Sequence, residues 1–238
     1  MCGRLVIATQ PARVAALFDA ALAHDVDPIG QPSWNLGPTR RINGISSGEH
    51  GRVLDRYRWG LIPAWANDLS FGSKTFNALA ETVATKPSFR GAYRSHRLIV
   101  PVDGFYEWDR SRVKPQPHYF SRSDETMLAF AGLFETWRDP ANPESPPIHS
   151  ATIITTEANA DMSSIHHRMP VILEQASFDL WLDDKEEAQD AIADLLVPAQ
   201  LGTLVSHPVD PKVGNVKNDG PELIDQAIAL PEEPTTLF

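Results

Sequence analysis

The segment Arg97-Leu98-Ile99-Val100-Pro101-Val102-Asp103-Gly104-Phe105-Tyr106-Glu107-Trp108 sets the structural class of the chain. Its first half is short and continuously apolar, and reads as a buried strand. It runs straight into a second stretch in which Phe105, Tyr106 and Trp108 surround one carboxylate, Glu107. Burial between aromatics raises a carboxyl pKa and suits the group to acid–base work. The same alternation equally permits a strand glutamate that faces solvent.

The flanking sequence repeats this character. Upstream, residues 3–9 read as a strand, and residues 11–23 as a helix with Pro11 in its first turn. Residues 24–39, with Pro28, Gly30, Pro32, Gly37 and Pro38, read as a loop framing Trp34 and Asn35. Short strands follow around 42–45 and 53–59. Trp59 is expected in the core, whereas Trp65, beside Asn67 and Asp68, is open to a core role or to use as an exposed stacking platform. A helix is expected to begin near Ala78. Downstream, 119–120 and 128–135 look like paired strands, and the four prolines of 139–147 mark a surface loop. Strands at 151–156, 171–173 and 205–209, a helical stretch over 177–196 and a turn at 215–218 complete the pattern. The Pro/Glu-rich end is expected to fray. These signals give an α+β fold, a single domain of mainly antiparallel short strands in a barrel-like sheet with a few flanking helices. The domain spans 1–238, with a core over 1–220 and a tail over 221–238.

Composition narrows the function classes. Of the 238 residues, 42% are hydrophobic and 22% charged, ordinary values for a globular chain. One cysteine excludes an intramolecular disulfide and multi-cysteine metal sites, and fits a reducing cytoplasm. No signal peptide and no apolar run of about 18 residues is present, so the expectation is a soluble, cytoplasmic protein with no membrane role. Net charge is −10, which argues against nucleic acid until its distribution is considered. Residues 1–110 hold 13 Lys+Arg against 10 Asp+Glu, whereas residues 111–238 hold 8 against 21. Arg40-Arg41, Arg52-Arg56-Arg58 and Arg90-Arg94-Arg97 cluster in the basic half, so a local basic groove is compatible with an acidic protein.

Cys2, the single cysteine, lies one residue from Met1. Its small side chain favours removal of Met1, which would leave a thiol and an α-amine on adjacent carbons. Such a 1,2-aminothiol condenses with an aldehyde to a Schiff base and closes to a thiazolidine. Both groups titrate near pH 8 to 8.5 in isolation, about where they remain partly reactive at neutral pH. His166-His167 does not read as a metal site, because adjacent side chains diverge on a strand and no HExxH spacing supplies a partner. No phosphate-binding or dinucleotide glycine pattern occurs, so neither metal nor cofactor is expected. What remains is Cys2, Asn77, Glu107 and His166: a nucleophile, an orienting amide, a carboxylate and a proton donor–acceptor.

Six segments carry a resemblance: Met1-Cys2-Gly3-Arg4, Trp59-Gly60-Leu61-Ile62-Pro63-Ala64-Trp65, Asn77-Ala78 with Glu81-Thr82, Gly104-Phe105-Tyr106-Glu107-Trp108, Ala131-Gly132-Leu133-Phe134-Glu135 and Ile165-His166-His167-Arg168-Met169-Pro170. In this order, over residues 2 to about 220, the chain resembles the SRAP (SOS response-associated peptidase) family. The resemblance implies a DNA-damage protein that senses abasic sites in single-stranded DNA and crosslinks to them through Cys2. It also implies a crosslinking or lyase-type activity and a self-removal of the leader before Cys2. Asn77 would orient the Cys2 amine and the sugar, Glu107 would exchange protons with the amine, and His166 would shuttle protons. Arg4, Arg90, Arg94 and Arg168 would contact phosphates and Trp65 would stack on a base. A monomer is expected, cytoplasmic and associated with the bacterial nucleoid when bound to DNA. Two positions depart from the family pattern: Leu79 stands where an arginine is usual, and His167 where an acidic residue or Asn is common.

Two other classes compete. An N-terminal-nucleophile amidohydrolase of the glutamine amidotransferase type would use the same freed cysteine, but needs an oxyanion hole and an arginine clamp. A non-covalent reader of modified DNA would retain DNA without Cys2.

Overall fold

The computed structural model describes residues 2–184 and 189–229. Its strands are β1 (Leu5–Ile7), β2 (Ala20–Leu22), β3 (Ser33–Leu36), β4 (Arg41–Gly48), β5 (Gly51–Trp59), β6 (Asn77–Leu79), β7 (Arg97–Val102), β8 (Gly104–Asp109), β9 (Gln116–Arg122), β10 (Leu128–Trp137), β11 (Ile148–Glu157), β12 (Arg168–Pro170) and β13 (Leu204–Pro208). The helices are α1 (Pro11–Leu17), α2 (Arg90–Ser95), α3 (Phe178–Leu182) and α4 (Gln189–Ala193). Among the described residues no helix is long and apolar enough to cross a membrane.

Five strands close on themselves. β11 pairs with β10, β10 with β7, β7 with β4 and β4 with β5, all antiparallel, and β5 returns to β11 through the parallel pairs Ser150↔Arg58 and Ala151↔Trp59. Closure removes the exposed edges that an open sheet would present. β2, β6 and β12 extend this barrel. A second, antiparallel sheet runs in the order β13-β9-β8-β1-β3.

Period-two alternation along the barrel strands supplies two cores at once. Ile99, Ala129, Ala131 and Ile154 pack with Val14, Phe18, Phe89 and Trp181 of the helical side. Their neighbours Leu98, Val100, Phe130 and Ile153 pack with Cys2, Leu5, Phe105 and Phe120 of the second sheet. The outer face of that sheet is covered in turn, by Val209, Val213 and Leu223 over Val6, Tyr106 and Tyr119. The second sheet is therefore buried on both faces, and the shared core makes one domain.

Several local expectations change. The first helix stops at Leu17, because Asp19 turns left-handed (φ 50°) and sends Ala20–Leu22 alongside β5 as a parallel strand. Residues 33–36 of the supposed loop are β3, pairing with β1. Residues 77–79 are not a helix start but a strand, drawn into parallel register with Ile153–Thr155; the helix waits until Arg90. The 119–120 and 128–135 segments are strands that do not pair with each other: β9 lies between β8 and β13, and β10 between β7 and β11. The short strand near 171–173 sits three residues earlier, at 168–170, leaving Ile172 with an isolated bridge to Phe130. The 177–196 pattern yields two short helices, α3 and α4, with 185–188 outside the described residues. The last part of the tail expected to fray, 230–238, also lies outside them.

Candidate functional site

Cys2 precedes β1 at the seam between barrel and second sheet, and is 1% exposed. β1 holds it there by pairing Leu5 with Leu36 on one side and Phe105 on the other. Asp103 fastens the far end of β1, accepting from the backbone N–H groups of Ala8 (2.7 Å) and Thr9 (3.0 Å). Burial pushes the Cys2 thiol well above its ordinary pKa and the negative charge of Glu107 adds to this, while a hydrogen bond from the Arg4 backbone N–H works the other way. The sulfur in this setting is a protonated thiol.

Asn77 reaches Cys2 from the barrel. Its strand β6 is clamped parallel to β11, and the indole N–H of Trp59 donates to the Phe76 carbonyl at 2.8 Å, fixing the residue before it. The Asn77 amide then donates from Nδ2 to the Cys2 carbonyl oxygen at 2.6 Å. Its Oδ1 is buried and has no hydrogen-bond partner among the described residues. A buried acceptor of this kind costs on the order of 1–3 kcal/mol, so the amide is oriented at the expense of stability.

Glu107 comes from the middle of β8 and is 4% exposed. Tyr106 and Trp108, its sequence neighbours, point to the covered outer face, while Glu107 shares the inner face with Phe105. The solvent-facing alternative is thereby excluded. His166 follows a helical turn in which its N–H donates to the Met162 carbonyl at 3.0 Å. His166 Nδ1 lies 3.0 Å from the Arg168 backbone nitrogen and 3.1 Å from the Arg168 carbonyl oxygen, so the Arg168 backbone holds the ring through Nδ1 in either tautomer. Burial lowers the His166 pKa, Glu107 partly restores it, and His167 lowers it further. Cys2, Asn77, Glu107 and His166 are thus assembled from four separate elements, with the Asn77–Cys2 hydrogen bond and the field of Glu107 at both Cys2 and His166 among their links.

The other candidates divide. Trp65 is 58% exposed, with its ring edge-on to Phe71 at 5.1 Å, so it lies at the surface rather than in the core. Arg90 and Arg94 stand exposed one turn apart on α2. Arg4 is engaged inside the fold: Nη1 donates to Asn35 Oδ1 (2.5 Å) and the Val213 carbonyl (2.7 Å), and the guanidinium lies 5.6 Å from the Trp108 ring centroid. Arg168 forms a two-point ion pair with Glu81 (2.7 and 3.0 Å) and donates to the Thr155 carbonyl at 2.6 Å. Leu79 is 39% exposed at the end of β6, and His167 is exposed with its ring stacked 4.5 Å from that of His166. Among the described residues no three His, Cys, Asp or Glu side chains gather as a metal site.

Two supporting residues have partners that the local sequence does not disclose. Asn35 is buried and donates to the carbonyls of Val213, Asn215 and Asn218, tying a distant segment against Arg4. Glu81 lies in a recognisable segment, but only the distance from Arg168, 87 positions away in sequence, reveals its role.

Residues 1–216 match the protein family described as SOS response associated peptidase (SRAP). The abasic site processing protein YoqW of Bacillus subtilis is 38% identical over 232 residues, 94% of this chain and 99% of that protein. The abasic site processing protein HMCES of Gallus gallus is 34% identical over 235 residues, 85% of this chain and 69% of that one. A crystal structure of a protein from Bacteroides thetaiotaomicron superposes with a TM-score of 0.83 at 26% identity, covering 95% of this chain and all of its own.

Proposed function

The chain belongs to the SOS response associated peptidase (SRAP) family, and from that membership we propose that it processes abasic sites in single-stranded DNA by trapping the sugar aldehyde on Cys2. The observation that carries the reading is the 2.6 Å hydrogen bond from Asn77 to the Cys2 carbonyl, which orients a buried cysteine beside Glu107 and His166.

Removal of Met1, by the ordinary processing enzyme or by the chain itself, frees the Cys2 amine. Glu107 takes a proton from the ammonium form, and the amine attacks C1′ of the open-chain sugar. The oxygen takes up the proton that Glu107 accepted, relayed through His166, together with one from the attacking nitrogen, and leaves as water, giving the Schiff base. The thiol then adds across the C=N bond, its proton passing to a neighbouring base as the nitrogen takes one up. The sum is aldehyde plus aminothiol to thiazolidine plus one water. A protonated thiol suits this order, because it stays inert until an electrophilic imine lies beside it. The same Schiff base is the intermediate from which a lyase-type strand cleavage would proceed.

Trp65 would stack on a base, Arg90 and Arg94 would meet phosphates, and Arg168 would join them on exchanging its Glu81 partner. The amidotransferase-like reading draws less support, since Arg4, the arginine beside Cys2 in sequence, is spent on Asn35 and Val213.

Intact-mass measurement tests the reading. Processed protein mixed with single-stranded DNA bearing one abasic site should gain the mass of the oligonucleotide less one water, in an adduct that survives denaturation and heat. Cys2→Ser should lose the heat-stable adduct while a reductant still traps its Schiff base. An equal untrapped, heat-stable adduct with Cys2→Ser would sink the thiazolidine.

A further inference from the structure

The three basic clusters of the first half have different fates. Arg97 is buried, and its guanidinium donates to the carbonyls of Trp181 (2.7 Å), Tyr93 (2.6 Å), Arg94 (2.7 Å) and Asp183. Arg52 is likewise engaged, with Asp179 at 2.6 Å and the Phe18 carbonyl at 2.9 Å. Arg40, Arg41 and Arg56 have no such anchorage among the described residues. Together with Lys217 they line a groove of about 810 Å³ between the β3–β4 connection and residues 216–219.

The groove holds more positive charge than its surroundings neutralise. Asp219, the acidic side chain in its wall, already accepts from Ser33 Oγ (2.9 Å) and the Trp34 N–H (2.6 Å). The β4–β5 register places Arg41 opposite Arg58 and Asn43 opposite Arg56, so three guanidinium groups share one face of the hairpin. The Nε–H groups of Arg56 and Arg58 are buried and have no hydrogen-bond partner among the described residues. Burial and then Arg41 work against the charge on Arg56, offset in part by the adjacent Asp55. Crowded like charges and unpaired buried donors each destabilise a fold. An anion with several oxygens would relieve both.

The groove also adjoins the Cys2 strand. Asn35 in its wall accepts from Arg4 at 2.5 Å, and β3 pairs with β1 through Leu36 and Leu5. A side chain on Gly37 would bring its Cβ within 3.9 Å of Arg4 Nε. We propose that this groove is a separate DNA-backbone site, in which Arg40, Arg41, Arg56 and Lys217 bind phosphates of the strand that continues past the Cys2 pocket. The proposal rests on the DNA-processing reading above, but uses none of the residues assigned there.

Binding of intact single-stranded DNA, which carries no aldehyde, tests the groove apart from the chemistry. Affinity is measured against salt for the full chain and for the Arg41→Gln/Arg56→Gln double variant. Losing two phosphate contacts should reduce the slope of log K on log salt by about 1.4 and weaken binding by about tenfold at moderate salt. The thermal midpoint should hold or rise, because repulsion between the two arginines is relieved; a purely structural arginine pair would lower it. An unchanged slope and affinity overturns the proposal. So does displacement of the oligonucleotide by inorganic phosphate at equal phosphorus concentration, which would make the groove a small-anion pocket. Should the double variant not fold, Arg40→Gln/Arg41→Gln, both at exposed side chains, carries the same slope test. A wild-type chain that fails to crosslink abasic DNA, yet shows the slope change, sinks the aldehyde-trapping reading and leaves the groove standing.

Discussion

The Cys2 pocket and the Arg41–Arg56 groove flank the same short β1–β3 pairing, yet they handle charge in opposite ways. In the pocket the ionisable groups are few and dry. Cys2 and Glu107 are buried at a core that includes Leu5, Phe105 and Phe120, and desolvation dominates the behaviour of the Cys2 thiol. In the groove the ionisable groups are many, four cations against the one carboxylate of Asp219, and open to water on one side, so the shortage is of counter-charge. A dry pocket tunes proton transfer, because each charge there is costly and sensitive to its neighbours. A wet basic groove tunes association, because its energy comes from released counterions. The first region should therefore respond to pH and the second to salt.

The largest expected effect is at Glu107. Glu107→Gln keeps the shape and the buried position but removes the base, and should slow adduct formation by about 10²–10⁴-fold. Affinity for lesion-free DNA should stay within about twofold, since Glu107 faces the core. Single-turnover gels and a binding titration on the same preparation separate the two. A loss of affinity as large as the loss of rate would erase the division between chemistry and grip.

Arg97 shows what an arginine looks like when the fold depends on it. Replacing it with Met strands four carbonyl acceptors around a buried site. The expected loss is about 3 kcal/mol in chemical denaturation. Arg41→Gln and Arg56→Gln, by contrast, should cost nothing. Equal destabilisation at all three positions would make the groove part of the scaffold.

Much of this division was legible in the sequence, for identifiable reasons. The strand character of 97–108 and the alternation at Glu107 followed from local pattern, and the four candidate site residues came from their chemistry and their motifs. What pattern could not decide was that neither face of β8 meets solvent. That depends on Val209, Val213 and Leu223 covering its outer side, a contact made across a hundred residues. Asn77 was misassigned to a helix border for the same reason: its strand exists only because β11 offers parallel partners. The role of Arg168 was hidden as well. As a sequence it is a free cation, whereas in the fold Glu81 already neutralises it. The uncompensated arginines were the converse case, since composition marks a basic cluster but only the fold shows which members are spent.

Arg168 sharpens the comparison because it lies between the two regimes, a cation beside the pocket with its counter-charge in place. Hydrogen bonding from Arg168 holds the Glu81 carboxyl below its usual range. Glu81→Gln should release the guanidinium for phosphate, raising affinity for single-stranded DNA by about threefold and steepening the salt slope by about 0.7. A flat response would show that Thr155 and the protein interior, rather than Glu81, keep Arg168 from DNA.

The smallest effect expected is the pH response of His166, and it discriminates most finely. Burial places its folded-state pKa below the ordinary value, with His167 pushing the same way and Glu107 opposing. The unfolded chain then binds a proton that the folded chain resists, so stability rises with pH through the window between the lowered pKa and about 6.5. Above that window the contribution is constant. Adduct formation should show the same acidic limb if a neutral His166 is the working form, and His166→Gln should remove the limb. His167→Asn should move the limb up in pH, because the stacked neighbour no longer repels a proton on His166. Binding of lesion-free DNA should show no such limb, since arginines do not titrate near neutrality. An acidic limb that persists in His166→Gln, or one that appears equally in lesion-free binding, would place the titrating group outside the pocket and merge the two regions into one electrostatic surface.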